Sequence, residues 1–230
     1  MVAALLSTRS PLLGGHAMIG CSTGYMTVKR GNWPELVERA AAISSLAVEL
    51  SALSESELPG LLDYLRRAPQ LPFRYVSVHG PSKERSLDEA RLVESLMSVP
   101  FWVDAIVMHP DTIQDADRYR PLGSRLVLEN MDSRKGSGRS ADELEPLFGA
   151  LPDAGLCFDI AHAKALDETM ALGEEMVYRY ADRLRHIHVS SLDAAGHHCS
   201  LTLEDQELFS PVLESCRDVP WILEAPPPGL

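Results

Sequence analysis

Residues 104–130, DAIVMHPDTIQDADRYRPLGSRLVLEN, contain one full unit of the pattern that organises the whole chain. The run at 104–109 is short and aliphatic, which suits a strand buried on both faces. Residues 112–119 carry a helical pattern, and 125–130 return to strand character. Strand, helix and strand in that order make parallel pairing the expected arrangement. Working outward, the same alternation gives strand candidates at 17–22, 46–51, 74–79, 104–109, 125–130, 155–160, 185–190 and 220–224. Helical patterns lie between them at about 33–43, 55–68, 86–99, 112–119, 140–150, 167–182 and 203–215. Eight strands predict a closed (β/α)8 barrel, an α/β fold, in a single domain over 1–230.

An open doubly wound sheet is the competing architecture. It calls for a glycine-rich phosphate turn after the first strand, and GCSTGYM at 20–26 is a poor match to GxGxxG. Two helix starts are marked: Asn32 before Trp33-Pro34, and Ser86 with Glu89 at capping-box spacing. After Glu224 only APPPGL remains, so the last helix of the barrel is expected to be missing or replaced. The lead-in 1–15, read as loosely ordered, or a neighbouring subunit is expected to cover that flank.

No apolar run approaches the roughly 18–20 residues of a membrane span. The opening MVAALLSTRSPLLGGHA lacks the ordered regions of a secretory signal. Cys21, Cys157, Cys199 and Cys216 show no CxxC, which argues against a disulfide framework or a thiolate zinc site and fits a reducing cytoplasm. A net charge of -12 disfavours a surface that wraps duplex DNA.

Chemistry is concentrated at the strand ends. His79, His109, Glu129, Asp159, His188 and Glu224 close six successive strands, His162 follows Asp159 by one helical turn, and His197-His198 follow His188. In a barrel these ends converge on one mouth. Imidazoles and carboxylates without thiolates are the donors of a catalytic divalent site, zinc first, with manganese or iron as alternatives. The candidates outnumber the roughly four to six ligands of one ion, so one to three ions per chain are expected. A lone histidine at a strand end is more often a hydrogen-bonded loop residue; it is the joint arrangement that points to metal. His186 is expected on the opposite face of its strand from His188, His16 is incidental, and Glu49 has either a mouth-lining or a structural role. Lys83 and Arg85, and Arg134, Lys135 and Arg139 in DSRKGSGRS, stand in loops on the same face as phosphate-binding candidates, with a solvated loop as the alternative.

The chain resembles the xylose isomerase-like barrel superfamily and, within it, the endonuclease IV branch (AP endonuclease family 2). CFDIAH at 157–162 and GHHCSL at 196–201 carry the resemblance, supported by VHGP at 78–81, MHP at 108–110, LEN at 128–130 and the terminal LE at 223–224. It implies one zinc on His79, His109 and Glu129, and a second on Asp159, His188 and Glu224 that Glu129 bridges. His162 and His197 would help hold a third, with His198 behind them or on a phosphate. The branch has an aspartate two residues before the latter histidine; here that residue is Ala195, and Asp193 is the nearest substitute. Isomerase and epimerase members resemble the chain in a smaller set, Glu129, Asp159, His188 and Glu224 around one ion, with Glu129 and Glu224 as catalytic proton carriers. Histidines at both 79 and 109 favour the hydrolase pattern. The expected activity is therefore a metal-dependent phosphoester hydrolase acting on a small phosphorylated or nucleotide-like substrate. The alternatives are a single-metal sugar (phosphate) isomerase or epimerase, and a barrel that binds a ligand without turnover. No membrane or duplex-DNA partner is expected, and a homodimer is compatible with the exposed last strand.

Overall fold

The structure, a computed structural model, describes residues 18–67 and 70–227. Seven strands come first, β1 Ile19–Ser22, β2 Ala47–Ser51, β3 Tyr75–His79, β4 Ala105–Met108, β5 Leu126–Glu129, β6 Gly155–Asp159 and β7 Leu184–Val189. A small hairpin, β8 Ser191–Leu192 with β9 His198–Cys199, precedes the last strand, β10 Trp221–Leu223. Strands β1 to β7 and β10 pair in parallel around a closed barrel, which excludes the open doubly wound sheet. Each expected strand is found within two residues of its expected ends.

The helices are α1 Trp33–Ile43, α2 Leu58–Arg67, α3 Glu89–Met97, α4 Ala116–Tyr119, α5 Ala141–Ala150, α6 Ile160–Leu166, α7 Ala171–Arg179 and α8 Leu203–Ser215. Helix α2 illustrates why they form: Leu58, Leu61, Leu62 and Leu65 fall at i, i+3, i+4 and i+7 and are all buried. Ser140 and Thr202 cap α5 and α8 by accepting from Glu143 N at 3.3 Å and Asp205 N at 3.0 Å. At α3 the expected Ser86 cap gives way to Asp88, which accepts from Arg91 N at 3.0 Å. Ser86 is drawn off by Glu55, a buried carboxylate that takes its hydroxyl at 3.0 Å and Leu87 N at 2.7 Å. The pattern at 112–119 shrinks to α4, preceded by a 3₁₀ turn over Pro110–Thr112. Helix α6 is an addition to the expected elements. Asp159 starts it by accepting from His162 N at 2.8 Å, so one carboxylate both ends a strand and caps a helix.

From β10 the described chain runs to residue 227 without a helix. His16 and the lead-in 1–15 expected to cover that flank lie outside the described residues.

The outward faces of the strands supply the main core. Val48, Leu50, Val78, Ile106, Met108, Leu128 and Phe158 pack with the buried faces of the helices. Alternate residues point into the barrel, where Ala105, Val107, Val127 and Cys157 form a small apolar plug. The same inner face carries polar side chains, Glu49, Ser77, His79, Glu129, Asp159, His186 and His188, all buried.

Candidate metal centre

Register brings the strand-end side chains together at the mouth. Asp159 pairs across the sheet with His188, and Glu129 with Cys157. Glu129 stands at the centre with its two oxygens aimed at different neighbours. Oε2 lies 3.1 Å from His79 Nε2 and 3.2 Å from His109 Nε2, whereas Oε1 lies 3.3 Å from His188 Nδ1 and 3.4 Å from His162 Nδ1. His188 Nδ1 is in turn 3.5 Å from Glu224 Oε1 and 4.0 Å from Asp159 Oδ2. At the far side the rings of His162 and His198 have centroids 5.3 Å apart. Three overlapping groups result: His79, His109 and Glu129; Glu129, Asp159, His188 and Glu224; Asp159, His162 and His198. Within each, one donor atom per residue lies within 4.8 Å of all the others.

The donor set fits divalent cations. A histidine that binds metal through one nitrogen normally has the other fixed by a hydrogen bond, and four of these rings have it. His79 Nδ1 meets Gly80 O at 2.8 Å, His188 Nε2 meets Glu49 at 3.2 Å, and His198 Nδ1 meets Ser190 Oγ at 2.7 Å. His162 Nδ1 meets Asn130 O at 2.9 Å, leaving Nε2 toward the open side. Asp159 Oδ2 and Glu224 Oε2 are buried without a hydrogen-bond partner, an arrangement that costs free energy unless something else satisfies them.

Electrostatics agrees. Burial opposes ionisation of Glu129, but the His188 and His109 rings beside it win and hold it well below the ordinary glutamate range. Burial pushes Glu224 well up, and the Asp159 and Glu129 carboxylates add to this despite His188. Burial works against a charged His188, yet the surrounding acidic groups raise it well above the ordinary imidazole range. His109 and His198 are lowered by burial and so favour the neutral, ligating form. A site with three carboxylates where one is driven to keep a proton is a site where a cation would replace that proton.

A family profile described as "Xylose isomerase-like TIM barrel" matches residues 54–223, well over half of the chain. The chain belongs to that family. Endonuclease IV from Thermus thermophilus superposes on this xylose isomerase-like barrel with a TM-score of 0.60 at 20% identity, covering 92% of this chain and 93% of its own. An AP endonuclease, family 2, from Brucella melitensis gives 0.56 at 15%, covering 93% and 94%. A D-psicose 3-epimerase gives 0.54 at 12%, covering 91% and 84%. At these identities the likeness is one of fold. No curated protein sequence matches the chain. Members of the family bind divalent metals, in keeping with the clustered donors.

Not every residue expected at the site of this xylose isomerase-like barrel reaches it. His197 has a side chain 77% exposed and faces Asp193 at 3.4 Å, away from the cluster. Asp193 accepts from Ala195 N at 2.8 Å and His197 N at 2.9 Å, which builds the hairpin turn and keeps this carboxylate out of the third group. His198 stands in that group instead. The expected split of His186 from His188 fails because strand side chains alternate with a period of two, so residues two apart share a face. Both point inward, with ring centroids 5.4 Å apart.

Four of the five basic loop residues are already partnered. Arg85 donates to Thr112 O at 2.6 Å and lies 3.7 Å from Glu55, Arg134 Nε donates to Asp132 at 2.8 Å, Lys135 pairs with Asp111 at 3.1 Å, and Arg139 forks onto Glu143. Lys83 is exposed, its amide donating to Leu53 O at 2.9 Å. Asn130 is a site residue that the sequence reading missed. It donates to Asp159 O at 2.9 Å and accepts from Asp159 N at 2.7 Å, locking β5 to β6 beside Glu129. Its position in LEN, next to a strand-end carboxylate, is the available signal.

Among the described residues, no helix is long and apolar enough to cross a membrane.

Proposed function

We propose that the protein is a divalent-metal-dependent phosphoester hydrolase acting on a small phosphorylated or nucleotide-like substrate. The observation that supports this over single-ion chemistry is Glu129, whose two oxygens serve two groups of candidate ligands. A carboxylate so placed can join two cations. Divalent ions, once held at the mouth, would supply electrophilic activation of the phosphoester and of the attacking water. His79 and His109 would hold one of them with Glu129; Asp159, His188 and Glu224 would hold another. Asp159 with His162 and His198 offers a third place.

The protein's own groups do the rest. Hydrogen bonds that tie the imidazoles to Gly80 O, Ser190 Oγ and Asn130 O fix ring orientation before substrate arrives, so little reorganisation is needed. Glu129 remains ionised under the field of its histidines and can hold a cation pair without taking up a proton. The net charge of -12 supports a small substrate rather than duplex DNA.

A second reading draws on Glu129 and Glu224, two buried carboxylates pushed in opposite directions, one down and one up. Such a pair suits proton removal and return in sugar isomerisation or epimerisation around one ion. Elemental analysis of protein purified without added metal, with parallel assays, separates the two. Two or three ions per chain with release of phosphate or alcohol from phosphoesters supports hydrolysis. One ion with exchange of solvent deuterium into a sugar or sugar phosphate overturns it in favour of the second reading.

A further inference from the structure

Beneath the mouth lies a second layer of polar side chains that the proposed chemistry does not use. Glu49 on β2 is wholly buried and accepts from Ser77 Oγ at 3.0 Å and from His188 Nε2 at 3.2 Å. His186 Nε2 stands 3.5 Å from the same carboxylate, and its Nδ1 meets Tyr75 Oη at 2.8 Å. Tyr75, His186, Glu49 and His188 thus form a continuous line through the barrel. It ends on His188, whose Nδ1 faces Glu129, Asp159 and Glu224.

A buried carboxylate is costly, and a barrel interior is ordinarily filled with aliphatic side chains. What this one does is visible in its contacts. An imidazole presents a lone pair on Nδ1 only when its proton sits on Nε2, and a carboxylate accepting from Nε2 enforces that tautomer while making the ring a stronger donor. We propose that Glu49 is a positioning residue that sets His188 to bind metal through Nδ1, with His186 and Tyr75 holding Glu49 in place. This rests on the metal-centre reading and deepens it.

Cys157, His186 and His188 also gather closely. That group reads as the floor of the centre rather than another cation site, because His188 Nε2 is already committed to Glu49.

The test titrates Co²⁺ into the wild-type chain, Glu49→Gln and Tyr75→Phe, read by visible absorption. Far-UV circular dichroism serves as a folding control. Glutamine keeps the volume of Glu49 and removes its charge. Cobalt affinity is expected to fall about 10- to 100-fold in Glu49→Gln, with shifted ligand-field bands, and by less than about tenfold in Tyr75→Phe. In the zinc-loaded wild-type protein, ¹⁵N imidazole NMR should find the His188 proton on Nε2. Equal cobalt affinity and spectrum in wild type and Glu49→Gln overturns the role of Glu49 while leaving the metal centre intact. If Glu49→Gln does not fold, the NMR result decides, and a His188 proton on Nδ1 overturns the proposal. A wild-type chain that takes up no cobalt overturns the metal centre itself, and this inference with it.

Discussion

Glu129 and His197 are both ionisable residues on the C-terminal side of the barrel, yet they meet opposite fates. Glu129 ends β5, is 2% exposed and touches four imidazoles; His197 sits on the β8–β9 hairpin with its side chain 77% exposed and faces Asp193. Strand β5 is fixed by ladders to β4 and β6, with Glu129 itself paired to Cys157, and the direction of its side chain follows from the pleat. The direction of His197 depends on a turn closed by Asp193 and Gly196, the latter at positive φ. One residue of register in that turn decides whether His197 or His198 looks into the mouth. Strand-borne and hairpin-borne groups therefore differ in how firmly chain position dictates function, and variants can probe that difference.

The strongest challenge is Glu129→Gln. Loss of the shared carboxylate should lower kcat by about a thousandfold, comparable to removing a key electrostatic group, and reduce bound metal per chain. Steady-state kinetics alongside elemental analysis checks both, and full rate with full metal content would break the scheme. Next comes the hairpin pair. His198→Ala is expected to weaken metal binding or activity by about 10- to 100-fold, whereas His197→Ala should stay within about twofold. The reverse order would mean that the loaded protein turns the hairpin the other way.

Removing metal sharpens the contrast through pH. Glu224 has its folded-state pKa raised by burial and by Asp159 and Glu129, so its proton stabilises the metal-free fold at low pH. That contribution is complete below the ordinary glutamate range and is lost as pH rises through the raised value. With chelator present, Tm should fall by roughly 3–5 °C per pH unit in that window, and added metal should flatten the slope. Differential scanning calorimetry across pH reads it; a chelated Tm that rises through the same window would contradict the placement of Glu224. A similarly small effect, within about twofold in kcat, is expected for Arg134→Ala, because its guanidinium is engaged with Asp132. A large rise in KM for a phosphorylated substrate would instead restore this loop as a phosphate contact.

Much of this was legible in the amino-acid sequence, for identifiable reasons. Barrel strands are short apolar runs, as in LVLE at 126–129, and several carry a polar side chain at or just past the C-terminal end, as at His79, His109, Glu129, Asp159 and Glu224. That signal singles out Glu129, Asp159, His188 and Glu224, side chains that the fold brings together. What escaped were features set by tertiary geometry. Asp159 caps an unforeseen helix because its carboxylate lies one turn from His162 N. Glu55 draws off the Ser86 that would have capped α3 from 31 residues away. Asp111 occupies Lys135 from 24 residues away, a pair that spacing along the chain does not reveal, whereas Asp132 with Arg134 and Glu143 with Arg139 are local pairs. His186 is a different case: the period of a strand already assigned it to the inner face.

The central claim is that Glu129 lies between cations. Anomalous diffraction from zinc-soaked crystals of the full chain tests it most directly. One peak is expected within bonding distance of His79, His109 and Glu129, and a separate peak within bonding distance of Glu129, Asp159, His188 and Glu224. A single peak touching Glu129 through one oxygen, or none at the mouth, would contradict it.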